Sequence, residues 1–124
     1  MNRTLTVALV LAATALTPAA ALASGGDKGK RVTGTCTDGS SAKLKVKADD
    51  GRLETEFEVD QNRNGVTWKV TLRRQGSSAV KTSATTKAPS GSFSVERRLP
   101  GSSGTITARA TSPSGEVCTA TATV

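Results

Sequence analysis

An antiparallel all-β domain, a sandwich or barrel of short strands, is the fold class that this 124-residue sequence predicts. Three observations carry the prediction. Apolar and polar residues alternate with period two in residues 43–48, 53–60, 66–72, 93–99, 105–111 and 117–124. Gly, Pro, Asn and Asp punctuate the gaps between these runs, as turn residues do. No segment shows the 3.6-residue apolar spacing of a helix. The length suits one domain and is too short for a second independent core.

Taken in order, the chain opens as an export signal. A basic start at Arg3, an apolar run from Leu5 to Leu16, a break at Thr17-Pro18 and small residues ending in Ala21-Leu22-Ala23 follow the order of a secretory signal peptide with an A-x-A cleavage site. Residues 1–23 are therefore set apart as a removable signal, 24–30 as a Gly- and Lys-rich tether, and 31–124 as the β-domain. Soluble export is the expected destination, with no membrane span after cleavage and Pro18 arguing against an uncleaved anchor.

Two cysteines, Cys36 and Cys118, fall in the exported part. In an oxidising compartment an even count predicts a disulfide between them. Closing a loop of about 80 residues stabilises a small domain by roughly 4.5 kcal/mol in the chain-entropy account.

The turns suggest registers. Asp50-Gly51 is a two-residue type I′ hairpin signal that sets Lys47 opposite Glu54, Lys45 opposite Glu56 and Lys43 opposite Glu58, with Leu44 opposite Phe57 inside. Asn64-Gly65, read the same way, sets Asp60 opposite Lys69, Glu56 opposite Arg73, Val59 opposite Val70 and Phe57 opposite Leu72, making a three-strand sheet with an acidic centre. Ala88-Pro89-Ser90-Gly91 offers turn chemistry before the Phe93 strand. Ser112-Pro113-Ser114-Gly115 turns the last hairpin, pairing Ile106, Ala108 and Ala110 with Ala122, Ala120 and Cys118. That apolar face is small, so Trp68, Phe57, Leu72 and Phe93 are expected to fill the space opposite it, as between unequal sheets.

The stretch from Glu56-Phe57-Glu58-Val59-Asp60 through Asn64-Gly65-Val66-Thr67-Trp68 to Leu72-Arg73, with Ala88-Pro89-Ser90-Gly91-Ser92-Phe93 and Gly115-Glu116-Val117-Cys118, resembles a group of small secreted actinobacterial proteins of unknown function. The resemblance covers nearly all of the exported domain. It implies an immunoglobulin-like sandwich of about seven or eight strands with one disulfide, an extracellular address and no catalytic residues. Some bacterial cellulose-binding modules are similar in cysteine placement and secretion. They stack sugars on several exposed aromatics, whereas this chain has one Trp, two Phe and no Tyr.

The composition narrows function further. With no histidine, the chain lacks the usual general base and the commonest zinc ligand. Glu54, Glu56 and Glu58 alternate onto one strand face beside lysines, an ion ladder rather than an acid/base pair. No enzyme activity and no cofactor are expected. Asp60-Gln61-Asn62-Arg63-Asn64-Gly65 matches the opening of a calcium loop, but Thr71 stands where a bidentate Glu should close it, so a turn is the reading. The net charge of +7 is more informative. After the ladder is subtracted, Arg74, Lys81, Lys87 and Arg98 are left as candidate contacts to an anionic cell-envelope polymer or another extracellular partner. Arg97 has inward phase near a strand end and is expected to snorkel from the sandwich edge. Sequence-specific nucleic-acid binding is not expected, for want of a reading helix and of stacking aromatics. The expected function is a secreted, non-enzymatic interaction module. The alternatives are a small protease inhibitor presenting residues 85–91, with Lys87-Ala88 as the bait bond, and a carbohydrate-binding module.

Overall fold

The computed structural model describes residues 29–124. The expected signal, residues 1–23, and most of the expected tether, residues 24–30, lie outside the described residues. Nine strands form two antiparallel sheets: β1 (Lys30–Thr33), β2 (Thr35–Cys36), β3 (Ser41–Asp49), β4 (Arg52–Asp60), β5 (Thr67–Arg74), β6 (Val80–Thr85), β7 (Ser92–Pro100), β8 (Thr105–Thr111) and β9 (Val117–Thr123). One sheet runs β1-β3-β4-β7 and the other β2-β9-β8-β5-β6. The expected all-β sandwich is present, with two short N-terminal strands and β6 added to the alternating segments. Among the described residues no helix is long and apolar enough to cross a membrane.

Two of the three proposed registers hold. Asp50 and Gly51 both have positive φ, as a type I′ turn requires, and β3 pairs β4 with Lys43, Lys45 and Lys47 opposite Glu58, Glu56 and Glu54. The last hairpin pairs Ile106, Ala108 and Ala110 with Ala122, Ala120 and Cys118. Gly115 supplies the left-handed turn residue there, and its N–H donates to the Ser112 carbonyl.

The third register is overturned. β4 pairs with β3 and β7, whereas β5 belongs to the other sheet, between β8 and β6. Asp60 thus faces Ser41 and Ser92 rather than Lys69, and Glu56 faces Lys45 and Glu96 rather than Arg73. Residues 61–66 form a crossover instead of a hairpin loop.

The core lies between the sheets. Leu44, Val46, Leu53, Phe57 and Val59 from one sheet meet Trp68, Val70, Leu72 and Ile106 from the other, all at most 1% exposed. Of the four large side chains expected opposite the alanine face of β8 and β9, Phe57 and Phe93 belong to the other sheet. Trp68 and Leu72 sit beside the alanines on β5. Trp68 packs at a tilt on Phe93, ring centroids 6.0 Å apart, a favourable aromatic geometry.

The first strand divides between the sheets. Gly34, which separates β1 from β2, has room for no side chain: a Cβ there would lie 2.5 Å from the Thr119 carbonyl oxygen. Beyond it, Cys36 and Cys118 stand directly opposite each other on β2 and β9, joined as a disulfide with Cα atoms 4.0 Å apart. The expected bridge fastens an edge strand of two residues to β9.

The two crossovers, β4 to β5 and β6 to β7, run side by side and are fastened by Thr86, which is 1% exposed. Its hydroxyl donates to the Arg63 carbonyl at 2.6 Å and accepts from the Val66 N–H at 3.0 Å. Its N–H donates to the Val66 carbonyl, and its carbonyl accepts from Gly65 N–H. Gly91, buried and at φ +75, lies against the backbone of Asn62 and Arg63, where its missing Cβ permits the approach. Replacing Thr86 by Val keeps the shape and deprives the half-buried Val66 N–H and the Arg63 carbonyl of their hydroxyl partner. Thr86→Val is expected to lower stability by about 1–2 kcal/mol, the cost of lost hydrogen bonds at a partly buried site, measured by urea denaturation. A loss within about 0.5 kcal/mol, typical of surface changes, would show that the hydroxyl does not hold the crossovers together.

Candidate functional site

The two sheets turn outward faces of different charge to solvent. On the four-stranded sheet each β3 lysine stands opposite a β4 glutamate. Arg98 on β7 lies beside Glu54 in the ladder, and its Nη2 sits 3.6 Å from Glu54 Oε2 and 3.8 Å from Asp49 Oδ2. These are the ion pairs found among the described residues. Lysines and glutamates alternate between β3 and β4, while Arg31 on β1 stands opposite Lys45 and Glu96 on β7 opposite Glu56, so both signs share this face.

The five-stranded sheet differs. Its outward positions are Thr67, Lys69, Thr71 and Arg73 on β5, Lys81 and Ser83 on β6, alternate residues from Thr105 to Thr111 on β8, and threonines on β9. None of these outward positions is Asp or Glu. Cross-strand hydroxyl pairs tile its ends: Thr67 with Thr85 at 2.8 Å and Thr105 with Thr123 at 2.9 Å.

The register arranges the cations around Thr71. Directly opposite Thr71 stand Arg109 on one side and Lys81 on the other. Lys69 and Arg73 lie two residues away along β5 in each direction. With a rise of about 3.4 Å per residue and strands about 4.8 Å apart, the four positions mark a rhombus with edges of about 8 Å. Arg73 Nε donates to the Ser77 carbonyl at 3.3 Å, steadying the guanidinium, and its terminal nitrogens have no hydrogen-bond partner among the described residues. Thr71, Arg73, Gln75, Thr105, Thr107 and Arg109 line an open depression at this end of the face.

Comparison with protein-family models, with curated proteins and with solved structures finds no match.

Of the four cations expected from the sequence, only Lys81 belongs to this group. Arg98 is engaged by Glu54 and Asp49. Arg74 is half-buried, its Nε donating to the Ser103 carbonyl at 2.9 Å and its guanidinium filling the space that Gly101 and Gly104 leave open. Lys87 is exposed at the opposite end of the sandwich, on the β6–β7 crossover. Lys69 and Arg73 were assigned to the ladder by the mistaken Asn64-Gly65 hairpin, and the true topology frees them. Arg109 was overlooked although its phase was readable: Thr105, Thr107 and Arg109 alternate with Ile106, Ala108 and Ala110.

Other candidates resolve into structural roles. Trp68 and Phe57 are fully buried and Phe93 is 6% exposed, so no aromatic platform faces solvent. Trp68 Nε1 donates to Gln61 Oε1 at 3.1 Å. In the calcium-like segment Asp60 Oδ1 accepts from the Asn62 N–H at 3.0 Å, and Thr71 lies in the other sheet at the centre of its outer face. The Lys87 N–H donates to the Ser92 carbonyl while its own carbonyl accepts from Gly91 N–H, so the proposed bait residue sits in a closed turn packed on residues 62–63. Arg97 is exposed despite its inward phase. Its Nη2 reaches Thr82 Oγ1 on β6 of the opposite sheet at 3.4 Å, the expected snorkelling across the sandwich edge.

Glu116, to which the sequence assigns no role, is the one buried carboxylate among the described residues, 5% exposed. Together with Cys36 and Cys118 it forms a compact donor group, but the two sulfurs are bonded to each other and the carboxylate is fully occupied. It accepts from Ser40 Oγ at 2.7 Å, Ser40 N–H at 2.9 Å and Asp38 N–H at 3.0 Å, tying the β2–β3 loop to the last hairpin. Burial alone would raise its pKa, but the Ser40 and Asp38 donors outweigh that and hold it below the ordinary carboxylate value. A depressed pKa contributes stability above the unfolded-state value, and that contribution is lost as pH falls through the folded-state value. Glu116→Gln turns an amide N–H₂ towards these donors. At neutral pH the variant is expected to be less stable by about 1–3 kcal/mol. The gap should narrow as pH is lowered from about 6 to about 3, across the carboxylate range, in denaturation series at each pH. A gap independent of pH would contradict the ionised role.

Proposed function

We propose that this protein is a secreted, non-enzymatic interaction module that holds an anionic polymer of the cell envelope on the outward face of its five-stranded sheet. One observation carries the reading: Lys69, Arg73, Lys81 and Arg109 are gathered at outward positions without carboxylates, while on the opposite face the β3 lysines and Arg98 stand beside glutamates. Like charges set about 8 Å apart repel within a Debye length, and an anion laid over them relieves that repulsion. The face is broad and open, which suits a polymer better than an enclosed small molecule.

Secretion follows from the export-like N-terminus and accords with the disulfide, which persists in oxidising surroundings. The resemblance to small secreted actinobacterial domains points to the same address. The absence of histidine and the commitment of Glu116 to backbone and hydroxyl donors support a binding rather than a catalytic role.

The test is retention of the mature domain on isolated cell envelope at low and high salt. Wild-type protein is expected to bind at low salt and to be released as salt rises. The double variant Arg73→Glu/Arg109→Glu should lose most of this binding, while Arg98→Glu, which alters a compensated face, should retain it. These outward substitutions are expected to change stability by no more than about 0.5 kcal/mol each, with folding checked by circular dichroism. Equal loss in both variants would remove the five-stranded face from the proposal.

A further inference from the structure

The geometry of the cation rhombus points to a chemical class of polymer, an inference that rests on the basic face being the binding surface. We propose that the face is built for a linear polyol phosphate whose phosphodiesters are separated by three-carbon spacers. Along β5 the cations recur in three levels: Lys69, then Arg109 and Lys81 flanking Thr71, then Arg73. Successive levels are two residues, or about 7 Å, apart. Two residues of extended backbone comprise six single bonds from Cα to Cα. A glycerol spacer likewise puts six bonds between successive phosphorus atoms, so the extended polymer repeats its charge at about the same 7 Å. Laid along β5, it brings one phosphate to Lys69, the next between Arg109 and Lys81 over the Thr71 hydroxyl, and a third to Arg73.

The composition of the site fits that occupant. Two of the four cations are arginines, whose forked donors match phosphate oxygens. The spacers of such a polymer carry hydroxyls, and the flanking positions Thr107, Thr111 and Ser83 offer hydroxyls in return. A single-stranded nucleic acid has the same six-bond repeat but gains much of its affinity from stacking on aromatics, and all three aromatics are inside the sandwich. A polyuronate carries its carboxylates on rigid rings, whose repeat follows the sugar rather than the two-residue step of a strand.

The experiment compares three polyanions on the mature domain by fluorescence anisotropy over a salt series: poly(glycerol phosphate), polygalacturonate and oligo(dT), matched in number of charges. Poly(glycerol phosphate) is expected to bind at least about tenfold more tightly than the others, with a log–log salt slope near −2 for three neutralised phosphates. Arg73→Gln should weaken binding and reduce the slope by about 0.7, the loss of one phosphate contact, and Arg109→Gln should weaken binding as well. Lys45→Gln, on the opposite face, should change neither. Equal binding of polygalacturonate, or tighter binding of oligo(dT), with the same dependence on Arg73 and Arg109 would overturn the polyol phosphate assignment and leave the basic face standing. Binding of none of the three at low salt, or binding indifferent to both arginines, would overturn the basic-face reading as well.

Discussion

Two passages of the chain between sheets, held side by side by Thr86, set the architecture of this domain. Residues 61–66 carry the chain from β4 to β5 and residues 86–91 carry it back from β6 to β7. Thr86 completes the hydrogen bonding of both: its hydroxyl serves Arg63 and Val66 while its backbone serves Gly65 and Val66. Gln61 adds a second tie, its N–H donating to the Gly91 carbonyl and its side chain accepting from Trp68. Buried backbone groups that cannot reach water must find partners, and here each crossover supplies them for the other.

The charge pattern follows from that crossing. Because β5 and β6 leave the sheet that contains the glutamates, Lys69, Arg73 and Lys81 are carried to the far side of the molecule and join Arg109. The glutamates stay behind with the β3 lysines and Arg98. One outer face is compensated and the other is uniformly basic, although the same residues in a single meander would have cancelled. The excess positive charge of the chain thus becomes a localised feature of one sheet, and the core between the faces keeps the two apart.

Much of this was legible in the sequence. Asp50-Gly51 allows one tight register, since a shift by one residue would expose Leu44 and Phe57, and the structure has that register. The Pro113–Gly115 turn was equally decisive. Asn64-Gly65 misled because alternation fixes which residues face inward and does not say on which sheet. Phe57, Val59, Trp68 and Val70 are inward under either topology, and the chance complementarity of Asp60 with Lys69 and of Glu56 with Arg73 favoured the wrong one. Val80–Thr85 escaped notice because an edge strand of small, mostly polar residues lacks a clear apolar period. The basic face is only partly legible for the same reason as the topology: the false hairpin sets Lys69 and Arg73 opposite acids they do not meet, whereas Lys81 is free in either topology. Glu116 directly follows the Gly115 turn and precedes Cys118 by two residues, a position that does not by itself specify burial.

Backbone NOEs of the folded domain test the central claim that β5 changes sheets. Cross-strand contacts joining Thr71 to Arg109 and to Lys81, with backbone contacts of Phe57 running to Leu44 and Val95, are the predicted result. Backbone contacts that pair Val59 with Val70 and Phe57 with Leu72 as direct neighbours would put β4 and β5 in one sheet, return Lys69 and Arg73 to the glutamates, and contradict the account.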